Sequence, residues 1–276
     1  MTEGMTIQKG VASGYVSRTV GAGQTGLVQA WADAFIQHMV VKGHRPFQVA
    51  WYMGDTTESL AFLSAGDVDV ALTYNPAAEA RVMRAGQATK IILCWLDPKS
   101  NPAGLADEDD ILTMFSKIAS CGNADVATLP ESRPPTRFLS RFDKSATNIK
   151  ESLIFATIGQ VPWALDYSKW YHQYPRFPRE ALQAASLLSE YTLIDKGAWL
   201  DAPKSITSTL KIFKMGSDDA DDPLLNPAHL LCGKEPLPGN ESISKEFVTW
   251  VLSRDGGQKV IEKFSKNGKI LYSKAP

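Results

Sequence analysis

At 276 residues the chain is too long for a minimal domain and fits one large domain or two lobes. A composition 44% hydrophobic and 21% charged is that of a soluble globule. The 29 Lys and Arg against 30 Asp and Glu leave a net charge of −1 and no basic stripe, which excludes nucleic acid as the main partner. No apolar run approaches the roughly 18 residues that a membrane-spanning helix needs, so no transmembrane segment is expected. The start, Met1 to Thr6, lacks a basic region followed by an apolar one, so no signal peptide is expected. That leaves an intracellular protein if the chain is native as given, and an extracytoplasmic one if it is a trimmed mature form. Cys94, Cys121 and Cys232 have neither metal spacing nor a disulfide pattern and read as small buried hydrophobes.

Val11 to Val20 alternates loosely and predicts a first strand. Gly21 to Gly26 breaks it, and Leu27, Trp31, Ala34, Phe35, His38 and Met39 form the stripe of an amphipathic helix. A glycine-rich strand–turn–helix lets backbone N–H groups approach an anion. Gly21, Gly23 and Gly26 nearly make a dinucleotide fingerprint, but no acidic residue follows at the position that would hold a ribose. The plan then repeats. Phe47 to Tyr52 is a strand, Gly54 to Thr57 a turn, Ser59 to Ala65 a helix and Val68 to Tyr74 a buried strand. Asn75-Pro76 opens another helix, running to Gly86. Alternating strands and helices predict an α/β fold with mostly parallel sheets, whose ligands sit at the carboxyl ends of strands.

Ile91 to Leu96 is a further strand, and the polar, proline-bearing stretch from Asp97 to Gly104 is the first boundary. Asp109 to Ser120 predicts a helix; Leu129 to Pro135 is a loop leading to a short segment at Thr136 to Leu139. Next comes Ser140-Arg141-Phe142-Asp143-Lys144-Ser145-Ala146-Thr147, which packs hydroxyls and one guanidinium before a helix with apolar residues at Ile149, Leu153, Ile154 and Ala156. Ser145 or Asp143 stands where an N-cap belongs. A helix start attracts anions through its unpaired N–H groups and its dipole, and Ser, Thr and Arg are oxyanion donors. Read blandly, the same residues are an ordinary cap on a surface helix.

Trp163, Tyr167, Trp170, Tyr171, Tyr174 and Phe177 crowd an irregular stretch and either fill a core or line a cleft. Arg179 to Ser189 predicts a helix and Tyr191 to Ile194 a strand, with Asp195-Lys196-Gly197 opening a turn. The acidic loop from Met215 to Asp222 is the second boundary; Asp218, Asp219, Asp221 and Asp222 lack the spacing of a calcium loop, and no metal site is expected. Leu225 to Leu231 reads as a strand re-entering the first half, and two helices close the chain. The expected division is residues 1–96 with 224–276 in one lobe and 97–223 in the other.

Several blocks resemble the tungstate-binding solute receptors of bacterial ABC transporters, within the type II periplasmic-binding-protein superfamily. Ser140-Arg141-x-Asp143-x-Ser145-x-Thr147 is similar to that family's Ser-Arg-Gly-Asp-x-Ser-Gly-Thr-His loop. Ala65-Gly66-Asp67-Val68-Asp69-Val70, Asn75-Pro76-Ala77-Ala78-Glu79, and Tyr191-Thr192-Leu193-Ile194-Asp195-Lys196-Gly197 resemble three further blocks, in the same chain order. Leu224-Leu225-Asn226-Pro227 and Gly257-Gln258-Lys259-Val260-Ile261 fit its tail.

The resemblance implies two α/β lobes joined by two crossovers, with tungstate or molybdate trapped between them. Gly23, Gln24, Thr25, Thr56, Thr57, Ser140, Arg141, Ser145 and Thr147 would hold the anion, supported by Asp143 and Asp55. It further implies an ABC transporter permease as partner, a monomer, and no cofactor beyond the bound oxyanion. The chain departs from the pattern in its first loop, where glycine and alanine replace hydroxyl donors, and at Asp55, Ala146 and Asn148. The anchoring cysteine of a bacterial lipoprotein is absent. Two other functions stay open. An enzyme on this fold would need a reactive residue, for which His172 is the candidate, and an interaction protein would have kept the scaffold and lost the ligand.

Overall fold

The computed structural model describes residues 2–8, 26–54, 56–74, 79, 84–217, 219, 221–233, 241–266 and 268–275. The chain divides into two compact units, Met1–Ile91 with Pro227–Pro276 and Ile92–Asn226. Two strands, β4 (Arg84–Pro98) and β9 (Leu225–Cys232), each carry the chain from one unit to the other.

In the first unit, β1 (Thr2–Gln8) runs antiparallel to both β2 (Gln48–Gly54) and β3 (Val70–Thr73). β3 pairs antiparallel with β9, Val70 opposite Cys232, and β12 (Tyr272–Lys274) pairs antiparallel with the start of β4. The expectation of a mostly parallel sheet is therefore corrected here. A helical crossover imposes a parallel direction only on the two strands it joins. β3 instead meets a strand that returns more than 150 residues later, and nothing local fixes that direction.

Helix α1 (Leu27–Val41) buries Leu27, Trp31, Phe35 and Met39, the stripe expected from the sequence. Phe35 packs edge-on against Phe247, centroids 5.0 Å apart, and against Phe47 at 5.9 Å. Trp31 Nε1 donates to the Gly257 carbonyl at 3.1 Å, so its one polar atom is satisfied inside the core. The closing helices are α8 (Glu241–Leu252) and α9 (Gly257–Lys263), followed by a short pairing of β10 (Ser265–Lys266) with β11 (Lys269–Ile270). Helix α2 (Thr56–Ala65) begins earlier than expected, so Thr56 and Thr57 belong to its first turn. The expected helix ending at Gly86 gives way to β4, which begins at Arg84. The expected strand at Val11 to Val20 lies outside the described residues, as do Gly23, Gln24, Thr25 and Asp55.

In the second unit, β4 pairs antiparallel with β7 (Tyr191–Asp195) and β8 (Leu210–Met215). β5 (Phe138–Ser140) lies parallel between β7 and β6 (Tyr171–Gln173). These are true crossovers: α4 (Ala146–Thr157) joins β5 to β6, and α5 (Pro178–Leu188) joins β6 to β7. Alternation sorts the side chains onto two faces. Cys94, Leu96, Leu139 and Ile194 pack on Ala181, Leu182 and Ala185 of α5. Trp95, Phe138, Tyr171 and Tyr191 stack on the other face, Phe138 lying 5.6 Å from Trp95 and 6.0 Å from Tyr171.

Helix α3 (Ile111–Ala127), capped by Asp110, closes over that aromatic face through Phe115. Its Gly122 makes room for Trp170; a Cβ there would lie 2.4 Å from the indole. The aromatic stretch thus divides. Trp170 and Tyr171 are core, whereas Tyr167 and Phe177 are exposed. Two short helices, α6 (Lys196–Asp201) and α7 (Lys204–Thr207), precede β8. Among the described residues no helix is long and apolar enough to cross a membrane.

Candidate functional site

β5 ends at Ser140, and α4 begins at Ala146 with Ser145 as N-cap, so the polar stretch is the turn between a strand's carboxyl end and a helix start. Ser145 Oγ accepts from the Asn148 N–H at 3.3 Å, the capping bond the sequence announces. By helix geometry the N–H groups of Ala146 and Thr147 have no acceptor within α4. The turn is held from below. Ser140 Oγ accepts from the Phe142 N–H and from Asn148 Nδ2, both at 3.2 Å, and Asn148 Oδ1 accepts from the Lys144 N–H at 3.2 Å. Asn148 therefore ties the helix to both sides of the turn. Phe142 (φ 43°) and Lys144 (φ 58°) adopt left-handed backbone, which costs a residue with a Cβ about 1–2 kcal/mol.

Arg141 is 3% exposed. Its Nη2 donates to Asp143 Oδ2, and its Nε is enclosed with no acceptor among the described residues. Asp143 Oδ1 accepts from the Ser145 N–H at 3.0 Å. Burial works to raise the Asp143 carboxyl, and the Arg141 guanidinium with the Ser145 hydrogen bonds outweighs it, holding the group below the usual range. The turn thus presents a fixed guanidinium with an unused donor beside a helix start. Ser140 and Ser145 are engaged within the turn, their hydroxyls bonding to the Glu151 and Asp143 carboxyls, so the donors left facing a ligand are those of Arg141 and the α4 N–H groups. Thr147 is buried on the first turn of α4.

The buried face of α4 is Thr147, Asn148, Glu151, Ile154 and Phe155. This corrects the expected stripe: Leu153 is 57% exposed and Ala156 is exposed. Sequence reading missed Asn148, Glu151 and Tyr171 as parts of this assembly. The signal was available at i, i+1 and i+4 from Thr147, where Thr147, Asn148 and Glu151 carry a polar face into the turn. Glu151, 2% exposed, accepts from the Tyr171 hydroxyl at 2.8 Å. Burial pushes its carboxyl up to about 8, against the opposing hydrogen bonds from Ser140 and Tyr171. Glu151 is therefore mostly neutral at pH 7, and the Arg141–Asp143 pair does not face a second buried negative charge.

His172, the candidate for chemistry, lies on β6, and its Nδ1 is 2.8 Å from Glu190 Oε2. It stands opposite Leu139 in the parallel register, on the sheet face away from Tyr171. In the first unit Glu79, from the third resembling block, accepts from Thr73 Oγ1 at 2.5 Å and lies 3.0 Å from His229 Nδ1. Among the described residues no cluster of three His, Cys, Asp or Glu could hold a metal ion.

Residues 8–255 match the PBP superfamily domain. A solved structure described as "Crystal structure of a periplasmic putative metal binding protein" is 48% identical, with a TM-score of 0.85 over 93% of this chain and 94% of that one. A protein of Haloferax volcanii named "Putative ABC transporter anion-binding protein" is 26% identical over 75% of this chain. This chain spans only 57% of that relative's length. The tungstate-binding protein TupA of Peptoclostridium acidaminophilum is also 26% identical, over 76% of this chain and 69% of its own length.

Proposed function

We propose that this chain, which belongs to the periplasmic-binding-protein superfamily, is a solute-binding protein that captures a tetrahedral oxyanion, tungstate or molybdate, and delivers it to an ABC transporter permease. The observation that carries the reading is the buried Arg141 guanidinium, fixed by Asp143, with Nε unspent at the start of α4. An oxyanion with four acceptor oxygens satisfies such donors and the α4 N–H groups together. Tungstate and anion binding by the two named relatives supports the choice of ligand. The role is binding without chemistry, since the relatives carry the names of binding proteins and no base–nucleophile pair stands at the turn.

Thermal shift tests this directly, with tungstate, molybdate, sulfate and phosphate as the panel. Ligand at about 100 times Kd adds roughly 2.7 kcal/mol, a rise of several degrees in melting temperature. Tungstate or molybdate should produce that rise in the native chain and none in Arg141→Met. A flat response to all four anions would overturn the proposal.

A further inference from the structure

The outer edge of the β5–β6–β7 array, along β6, carries a second arrangement whose charged groups the oxyanion reading does not use, although Tyr171 and Gln173 border it as well. A cavity of about 360 Å³ opens beside β6, the edge strand of this array, lined by Arg137, Trp163, Leu165, Asp166, Lys169 and His172 among others. Arg137 stands just before β5 and Glu190 just before β7. The parallel register, Phe138 opposite both Tyr171 and Tyr191, places Arg137, His172 and Glu190 on one face of the sheet. Glu190 is fully buried and sits 2.8 Å from His172 Nδ1, which fixes the ring and leaves Nε2 as its free edge. Among the described residues, Arg137 and Lys169 form no ion pair.

The chemistry of the ligand follows from this lining. Arg137 and Lys169 stand against Asp166 in the lining and the buried Glu190 behind it, whose carboxyl already draws on Arg137, so the lining has no charge to spare for a dianion. Arg137 is the side chain suited to grip a carboxylate with two parallel hydrogen bonds. Trp163, half-buried and 6.3 Å from Tyr171, and Leu165 supply apolar wall beside those cations. The volume lies within the range of small-molecule sites and gives far more room than a four-oxygen anion fills. Ser168 also lines the cavity, but no hydrogen bond joins it to His172, so binding rather than hydrolysis is what the geometry offers.

We propose that this cavity is a second ligand site, for a small aromatic monocarboxylate, gripped by Arg137 and Lys169 and covered by Trp163. The probe is benzoate, titrated into the full chain and followed by calorimetry and by ligand-observed NMR, with neutral benzamide as comparison. Benzoate should bind and benzamide should bind about tenfold more weakly or worse, since it loses the charge-assisted pair. Arg137→Gln and Trp163→Ala should each weaken benzoate about tenfold while keeping the native melting temperature. Saturating tungstate should leave benzoate affinity unchanged, and Arg137→Gln should leave any tungstate-induced thermal shift unchanged, so the two sites succeed or fail separately. Absence of benzoate binding at millimolar concentration overturns the proposal. Binding insensitive to both substitutions, or displaced by tungstate, also overturns it.

Discussion

The two ends of β5 hold an arginine each, and the two arginines differ in almost everything else. Arg141, at the carboxyl end, is 3% exposed, paired with Asp143 and walled in by a capped helix start. Arg137, at the amino end, is exposed and forms no ion pair among the described residues. A buried, pre-oriented guanidinium has already lost its rotamer freedom and its water, and folding free energy has offset both costs. Ordering an exposed one costs entropy each time a ligand arrives. The first suits a small anion that must replace every hydrogen bond of its hydration shell. The second suits a ligand that contributes apolar contact of its own.

Stability separates the pair most strongly. Arg141→Met leaves the largely enclosed Asp143 with only its Ser145 hydrogen bonds, and breaking such a pair costs up to about 3–5 kcal/mol. Arg137→Met changes an exposed side chain and should stay within about 0.5 kcal/mol. At roughly 2–4 °C per kcal/mol, thermal melting should show a drop near 10 °C for the first and almost none for the second. Equal melting temperatures for the two variants would remove the distinction on which both sites rest.

The pH dependence is the next sharpest contrast. The folded-state pKa of Glu151 is raised from the ordinary glutamate value to about 8. Its contribution to stability is complete below the unfolded pKa near 4.5 and is lost as pH rises through about 8. A rise of that size corresponds to an upper bound of about 5 kcal/mol. Glu151→Gln, neutral throughout, should match the native chain at pH 5 and exceed its melting temperature at pH 9. Asp97, buried beside Trp95 and raised to about 7, acts in the same direction over a lower range, so Asp97→Asn serves as the additive control. Identical pH profiles for native and Glu151→Gln chains would show that the carboxyl beneath the turn is ionised at neutral pH.

Much of the turn was legible in the sequence and much of its support was not. Ser145 was one of two caps that local spacing allowed, and Asp143 as a support came from the family resemblance; the structure makes Ser145 the cap and pairs Asp143 with Arg141. The α4 stripe was misplaced by weighing Ile149 and Leu153 over Thr147, Asn148 and Glu151, because a hydrophobic pattern has no way to score buried polar groups that satisfy one another. Tyr171, twenty residues beyond Glu151, meets it only because β6 lies parallel to β5. The same limit explains the first unit, where the β3–β9 pairing joins distant segments whose direction no local motif encodes. His172 was singled out for reactivity, and Glu190, its buried partner, was unmarked because it precedes a strand as an ordinary exposed acid would.

Backbone strain gives the smallest effect and the finest test of the turn. Lys144 holds φ 58° and donates its N–H to Asn148 Oδ1, so the conformation is imposed by the bond that ties α4 to the turn. Glycine at this position keeps that N–H and removes the Cβ clash, a gain of about 1 kcal/mol. Its greater freedom in the unfolded chain returns part of that, for a net near 0.5 kcal/mol. Lys144→Gly should therefore melt about 1–2 °C higher and keep its response to tungstate, weakened slightly by the lost charge. Phe142, at φ 43° with its ring edge-on to Tyr171 at 6.5 Å, provides the internal contrast: Phe142→Gly relieves the same strain and loses that aromatic contact. If Lys144→Gly melts lower than the native chain, the left-handed turn is held by the lysine side chain itself, and the backbone geometry around Arg141 is not independently fixed.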